Sequence, residues 1–205
     1  MTKLKENQLD GRVAHSLLAP PNRMEQLRSI QITKMKPKKA SVMLLFYPNA
    51  VGEVSFVLTR RKKYNGAHSE QISFPGGKPE SSDDDLWETA LRETHEEIGI
   101  ASAQVKYLRS LTQLYVPPSN FLIVPYLGYL ENPCFFSPDP YEVDDVLEIS
   151  LESLINNKPI VIKLPSSSLT SIEVPAYVFD QNVVWGATAM ILSEFKMLFT
   201  AGLSK

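Results

Sequence analysis

The sequence is poor in cysteine, in net charge and in long apolar runs, and each shortage closes off a class of function. With one cysteine, Cys134, in 205 residues, the chain can carry neither an intrachain disulfide framework nor a Cys-rich zinc site. A formal net charge of -2 gives no bulk attraction to nucleic acid or to anionic membrane, so neither is expected as a partner. No segment approaches the ~20 apolar residues of a membrane span. The opening stretch MTKLKENQLDGRVAH lacks the apolar core of a signal peptide. A soluble protein of the cytoplasm is therefore expected. What remains is ordinary: 43% hydrophobic and 21% charged residues, enough for one well-filled domain with extensions.

Punctuation and periodicity predict the elements. Residues 1–20 read as polar, and APPN stops the chain before RMEQLRSIQ, a short amphipathic helix candidate. This gives an N-terminal extension over 1–38 and a domain over 39–205. ASVMLLFYP (40–48) reads as a buried strand, SFVLTRR (55–61) as its hairpin partner, and HSEQISFPGGK as a further short strand closed by Pro75–Gly76–Gly77. A helix of about four turns is expected from a cap at Ser81–Ser82–Asp83 to Gly99, with Trp87, Leu91, Thr94 and Ile98 as its core stripe. Strands follow over 105–116 and 120–130. A strand and short helix follow over 142–156, then a peripheral hairpin over 158–164 and 172–179. The last element is a helix from Gly186, ended by Gly202. The fold class expected is α/β, with a mixed β-sheet sandwiched between α-helices.

RETHEEIGI (92–100) crowds Glu93, Glu96 and Glu97 onto one helix. Like charges three and four residues apart destabilise a helix by ~0.2–0.5 kcal/mol per pair. At ~100° per residue Glu93 and Glu97 lie about 40° apart, at the margin of the core stripe with Leu86 and Ala90. A divalent cation removes the repulsion, since Mg²⁺ is held by one or two carboxylates, water and substrate phosphate. The helix C-terminus also favours positive charge. A solvated acidic face is the alternative, and a bare pair of glutamates would favour it.

The wider stretch GGKPESSDDDLWETALRETHEEIGI (76–100) resembles the Nudix box, G-x(5)-E-x(7)-R-E-U-x-E-E-x-G-U with U aliphatic. Arg92, Glu93, Glu96, Glu97, Gly99 and Ile100 match, and Thr94 stands at an aliphatic position. Counting back from Arg92 puts Lys78 at the first glycine, one residue from Gly77, and Asp84 at the early acid with Asp83 and Asp85 beside it. The resemblance implies a Nudix fold and hydrolysis of a nucleotide diphosphate with Mg²⁺ or Mn²⁺. It further implies Glu93 and Glu97 as principal metal ligands, Glu96 assisting, and Arg92 orienting Glu93.

Upstream, VLTRRKKYNGAHSEQISFPGGK (57–78) resembles the extra motif of the coenzyme A pyrophosphatase subfamily, L-L-T-x-R-(S/A)-x(3)-R-x(3)-G-x(3)-F-P-G-G. Leu58, Thr59, Arg61, Phe74, Pro75, Gly76 and Gly77 match. Lys62, Gly66 and Glu70 depart from it. The implied substrate is coenzyme A or an acyl derivative, with Arg61, Gly76, Gly77 and Lys78 as binding residues. Arginine suits this because it holds phosphate by two parallel hydrogen bonds. Glu70 stands where the motif has glycine; it would narrow the pocket, repel coenzyme A, or face solvent. Arg60, Lys62 and Lys63 read as solvated. His95 reads as exposed, His68 as an ordinary loop residue, Glu142 as a further acid near the metal, and Tyr115, Trp185 and Phe195 as core. Rival readings are another diphosphate substrate (NADH, ADP-ribose or a nucleoside triphosphate), a non-catalytic ligand-binding Nudix module, and an accidental acid cluster. A homodimer is compatible with the sequence.

Overall fold

The computed structural model describes residues 10–21, 23, 35–62, 71–165 and 171–203. The expected 23–31 helix, apart from Arg23, and Lys63, Gly66, His68 and Glu70 lie outside them. The first described element is a helix the sequence reading does not include, α1 (Gly11–Leu18), capped by the Asp10 carboxylate on the Arg12 N–H. Its buried residues Gly11, Ala14, His15 and Leu18 follow at three, one and three, a one-sided stripe short enough to hide among polar neighbours.

Next come β1 (Lys38–Pro48), β2 (Val54–Arg61), β3 (Ile72–Ser73), β4 (Gly76–Gly77) and the long helix α2 (Leu86–Ile98). They are followed by β5 (Lys106–Ser110), β6 (Leu114–Val116), β7 (Phe121–Tyr129), β8 (Val143–Ser150) and the short α3 (Leu151–Asn156). β9 (Ile160–Pro165), β10 (Ser171–Phe179) and β11 (Asn182–Trp185) form a separate three-stranded sheet before α4 (Gly186–Leu203). β11 was not anticipated. Gly202 lies inside α4, because the helix runs one residue past it. The strand expected over 105–116 is broken between β5 and β6, where the Leu111 N–H turns to the Pro125 carbonyl and the Thr112 N–H to Glu194.

β1 runs parallel to β7 along its length, Lys38 opposite Phe121 through Phe46 opposite Tyr129, while the other pairings are antiparallel. The sheet is thus mixed, as expected. Alternation along β1 sends Leu44 and Phe46 to one core and Met43, Leu45 and Tyr47 to another. The first core lies under α4 and the small sheet; the second lies under α2, with Ala90 and Ile98. Helices therefore flank both faces. Among the described residues no helix is long and apolar enough to cross a membrane.

One irregularity positions everything that follows. β2 pairs with β1 only from Val54 to Phe56 and then parts from it, while its far edge stays on β8 to Arg61. β3 takes up the freed edge of β2 at Thr59 and Arg60, and β4 takes up β1 at Ser41 and Val42. Phe74–Pro75 carries the chain across the gap. Only glycine fits at position 76, where a Cβ would collide with the Ser41 carbonyl.

Candidate active site

α2 brings the acids to the edge of this split. Its cap is Asp85, whose carboxylate accepts from the Glu88 N–H at 2.9 Å, and not the expected Ser81–Asp83 region. Asp83 is otherwise engaged: Arg92 Nε and Nη2 donate to its two oxygens at 3.0 and 3.1 Å. At the other end Gly99, at φ 76°, closes the helix through its N–H to the His95 carbonyl. Thr94 is fully buried and its hydroxyl donates to the Ala90 carbonyl at 2.6 Å. That internal bond lets a hydroxyl stand at an aliphatic position.

Glu97 is deeper than the core margin predicted for it, at 3% exposure. Thr59 Oγ1 donates to its Oε2 at 3.2 Å, the Gly76 N–H faces Oε1 at 3.4 Å, and Arg61 Nη2 stands 3.6 Å away. Burial pushes the carboxyl up to about 7, against the pull of Arg61. Glu93 is also raised by burial, with Arg92 opposing and Glu96 and Glu142 adding to the rise. A Cβ on Gly77 would strike the Glu93 carboxylate, so the Gly-Gly strand lies directly over that acid. Glu96 is different: its side chain is 54% exposed and accepts from Arg92 Nη1 at 2.8 Å.

Arg92 ties these parts together. Besides Asp83 and Glu96, its Nη2 donates to Glu93 Oε1 at 3.1 Å and to the Lys78 carbonyl at 2.9 Å. Arg92 is thus hydrogen-bonded to the acid that the motif has it orient. The front register is corrected as well. Asp83, six residues after Gly77, is the acid on Arg92, and the extra residue falls between Asp83 and the helix. Asp84 stays exposed.

Among the described residues no three His, Cys, Asp or Glu groups converge as a metal cluster. Glu93, Glu96 and Glu97 are thus not preassembled as three ligands, since Arg92 draws Glu96 aside. The donors nonetheless suit a hard cation: all are carboxylate oxygens, two of them desolvated and mutually repelling. Two buried hydroxyls, Ser41 Oγ and Ser73 Oγ, have no partner. Strand pairing of Ser41 with Gly77 and of Ser73 with Thr59 puts both on the acid-bearing face.

Beside the Gly-Gly strand opens a cleft of about 430 Å³, walled by Arg61, Gly76, Gly77, Lys78, Phe121 and Trp185 among others. All four expected binding residues therefore meet at one place. A bulge between Arg60 and Arg61 separates the two arginines: Arg61 turns to Glu97 and the Gly76 carbonyl, Arg60 to Asn182 and Asp145. Lys62, His95 and Glu142 are exposed. Tyr115 and Phe195 are core, whereas Trp185 is half-buried in the cleft wall and not core. Sequence reasoning missed Thr59 as the partner of Glu97, and Arg23, which reaches the cleft from outside the motifs. Thr59 lies inside the upstream motif of residues 57–78; Arg23 lies outside both motifs.

The sequence matches the family model described as NUDIX domain over residues 36–160. Nudix hydrolase 15, mitochondrial, of Arabidopsis thaliana is 32% identical over 61% of this chain. The chain spans 44% of that protein's length and 56% of a second Arabidopsis relative's. The mitochondrial coenzyme A diphosphatase NUDT8 of Homo sapiens is 30% identical over 82% of this chain and 72% of its own. A crystal structure of the Nudix hydrolase RenU from M. smegmatis superposes with a TM-score of 0.54 at 12% identity, covering 82% of this chain and 88% of that one, a likeness of fold.

Proposed function

The chain belongs to the Nudix family, and from that premise we propose a pyrophosphohydrolase that cleaves coenzyme A or its acyl derivatives to 3′,5′-ADP and 4′-phosphopantetheine or its acyl form. One observation carries the reaction class: a desolvated Glu97 and an Arg92-held Glu93 lie against the Gly76–Gly77 strand at the edge of a cleft. Glu93 and Glu97, with Glu96 swinging in, are the residues to hold Mg²⁺ or Mn²⁺, which when bound neutralises diphosphate oxygens and acidifies water. The chain's own residues do the rest. Thr59 and the Gly76 N–H fix one carboxylate, Arg92 fixes the other, Arg61 offers a cationic contact to the diphosphate, and Lys78 offers one to the substrate farther along the cleft. In the net reaction a water oxygen bonds to one phosphorus, and the bridging oxygen leaves with the other phosphate.

Coenzyme A is favoured by the upstream motif, whose Thr59 and Arg61 both contact Glu97, and by similarity to the human diphosphatase. Glu70 and Gly66, where the motif has glycine and arginine, leave NADH, ADP-ribose or a nucleoside triphosphate as the rival substrates. Purified protein incubated with coenzyme A and Mg²⁺ should yield 3′,5′-ADP and 4′-phosphopantetheine by mass spectrometry, and none with chelator. Cleavage of NADH or ADP-ribose in place of coenzyme A overturns the substrate and keeps the reaction. The cytoplasmic location is likewise a proposal, since named relatives include mitochondrial proteins; cell fractionation tests it.

A further inference from the structure

Arg23 reaches the wall of the cleft from the N-terminal segment, outside the residues matched by the family model. Its Nη2 donates to the Tyr115 carbonyl at 2.9 Å, which pins the guanidinium against β6. Its Nε is buried with no hydrogen-bond partner. Among the described residues no carboxylate pairs with Arg23, and none pairs with Lys78. Burial lowers the Arg23 pKa from its ordinary value, but arginine keeps its proton. A partly buried cation without a counter-ion is destabilising; an anion from outside removes that cost.

Strand register gives its place. Gly77 stands opposite Ser41 and Phe121 opposite Lys38, so the two stations lie about 10 Å apart along β1 at ~3.3 Å per residue. Val116, next to the residue that holds Arg23, pairs with Phe121. Lys78 Nζ lies over the Phe121 ring, 5.6 Å from its centre. Two unpaired cations therefore share the Phe121 end, while Arg61 serves the Glu97 end. Between those two stations Ala40 and Ile123, paired with each other, add apolar surface to the wall.

We propose that Arg23, with Lys78, forms a second anion subsite, one that takes a phosphomonoester carried by the substrate apart from the diphosphate being cleaved. The inference rests on the hydrolase reading above and narrows its substrates to nucleotide diphosphates phosphorylated on the ribose. The subsite discriminates at the level of binding and leaves the chemical step alone.

The test compares 3′,5′-ADP with 5′-AMP by calorimetry on wild type, R23Q and R23K, and the KM and kcat for coenzyme A with those for dephospho-coenzyme A. Wild type should bind 3′,5′-ADP at least about tenfold more tightly than 5′-AMP, as one charge-assisted contact provides. R23Q should erase that gap without moving 5′-AMP, and R23K should keep part of it. In turnover R23Q should raise KM for coenzyme A alone, with kcat unchanged. Equal binding of the two nucleotides by wild type, or equal weakening of both by R23Q, overturns the subsite. Should the enzyme cleave NADH or ADP-ribose and neither coenzyme, the coenzyme A reading falls, and the nucleotide pair still decides the subsite.

Discussion

Arg92 and Asp83 face each other in a two-point ion pair, Nε to Oδ1 at 3.0 Å and Nη2 to Oδ2 at 3.1 Å, nine residues apart across the turn that leads into α2. The pair fixes the guanidinium plane, so that its remaining hydrogens fall on Glu93, Glu96 and the Lys78 carbonyl. One arginine thus sets the position of two acids and of the strand above them.

Asp83→Asn should therefore lower kcat while leaving substrate affinity less affected, and should destabilise the fold by about 1–3 kcal/mol through the weakened charged hydrogen bonds. The Arg92 guanidinium holds the Asp83 carboxyl down at about 2, below the usual 3.8. Its contribution is full above the ordinary pKa and is lost as pH falls toward 2. Urea midpoints measured at decreasing pH should fall for wild type and fall less for Asp83→Asn. Parallel curves for the two proteins would count against this pairing.

Glu97→Gln should remove at least about a hundredfold of the turnover, on the scale of losing a preorganised charged group. The amide keeps one oxygen to accept from the Gly76 N–H and leaves Thr59 a partner. It also removes a carboxylate that burial has pushed up to about 7. Thermal midpoint should therefore hold or rise. Retained activity at unchanged metal concentration would remove Glu97 from the metal assignment.

Gly77→Ala separates position from charge. The new methyl would meet the Glu93 carboxylate, and overpacking at a tight contact costs typically ~1–3 kcal/mol. The carboxylate should shift, with activity down about tenfold or more by the sensitivity of catalysis to misplacement and folding largely kept. Steady-state kinetics beside a melting curve checks this, and an unchanged kcat would show that Glu93 need not lie under the strand.

The periodic parts of this structure were legible because burial writes them into the sequence. Met43, Leu45 and Tyr47 alternate with Leu44 and Phe46, and Gly99 ends α2 by a left-handed turn few other residues adopt. The acids were found for the same reason, since Glu93 and Glu97 share a helical face. What the sequence pattern does not show is anything settled by a partner outside the local repeat. Asp83 could be told from Asp84 only by where Arg92 lies, and the short α1 is held by Leu18 in the core it shares with α4 and by the Ser193 hydroxyl on the Ala14 carbonyl. Arg23 acquires meaning only when Tyr115 holds it against the cleft.

That tertiary hold on the N-terminal segment can be cut at one residue. Glu194 of α4 is 2% exposed, faces His15 Nε2 at 2.8 Å and accepts from the Thr112 N–H at 2.9 Å. Burial pushes its carboxyl up, yet the bonds from His15 and Thr112 outweigh that and hold it below its ordinary value. The clasp is therefore present above the ordinary carboxylate range and is lost as pH falls. Glu194→Ala strands a buried histidine and a backbone N–H, which should cost about 3 kcal/mol. The loss should appear locally, because Glu194 joins α1 to α4 and to the Thr112 N–H. Hydrogen exchange should speed up at α1 and hardly change in α2, and the affinity for 3′,5′-ADP should fall toward that for 5′-AMP as Arg23 loses its seat. Unchanged protection of α1 in the variant would mean that the apolar contacts of Ala14 and Leu18 suffice, and that the histidine–glutamate pair has no part in holding the cleft wall.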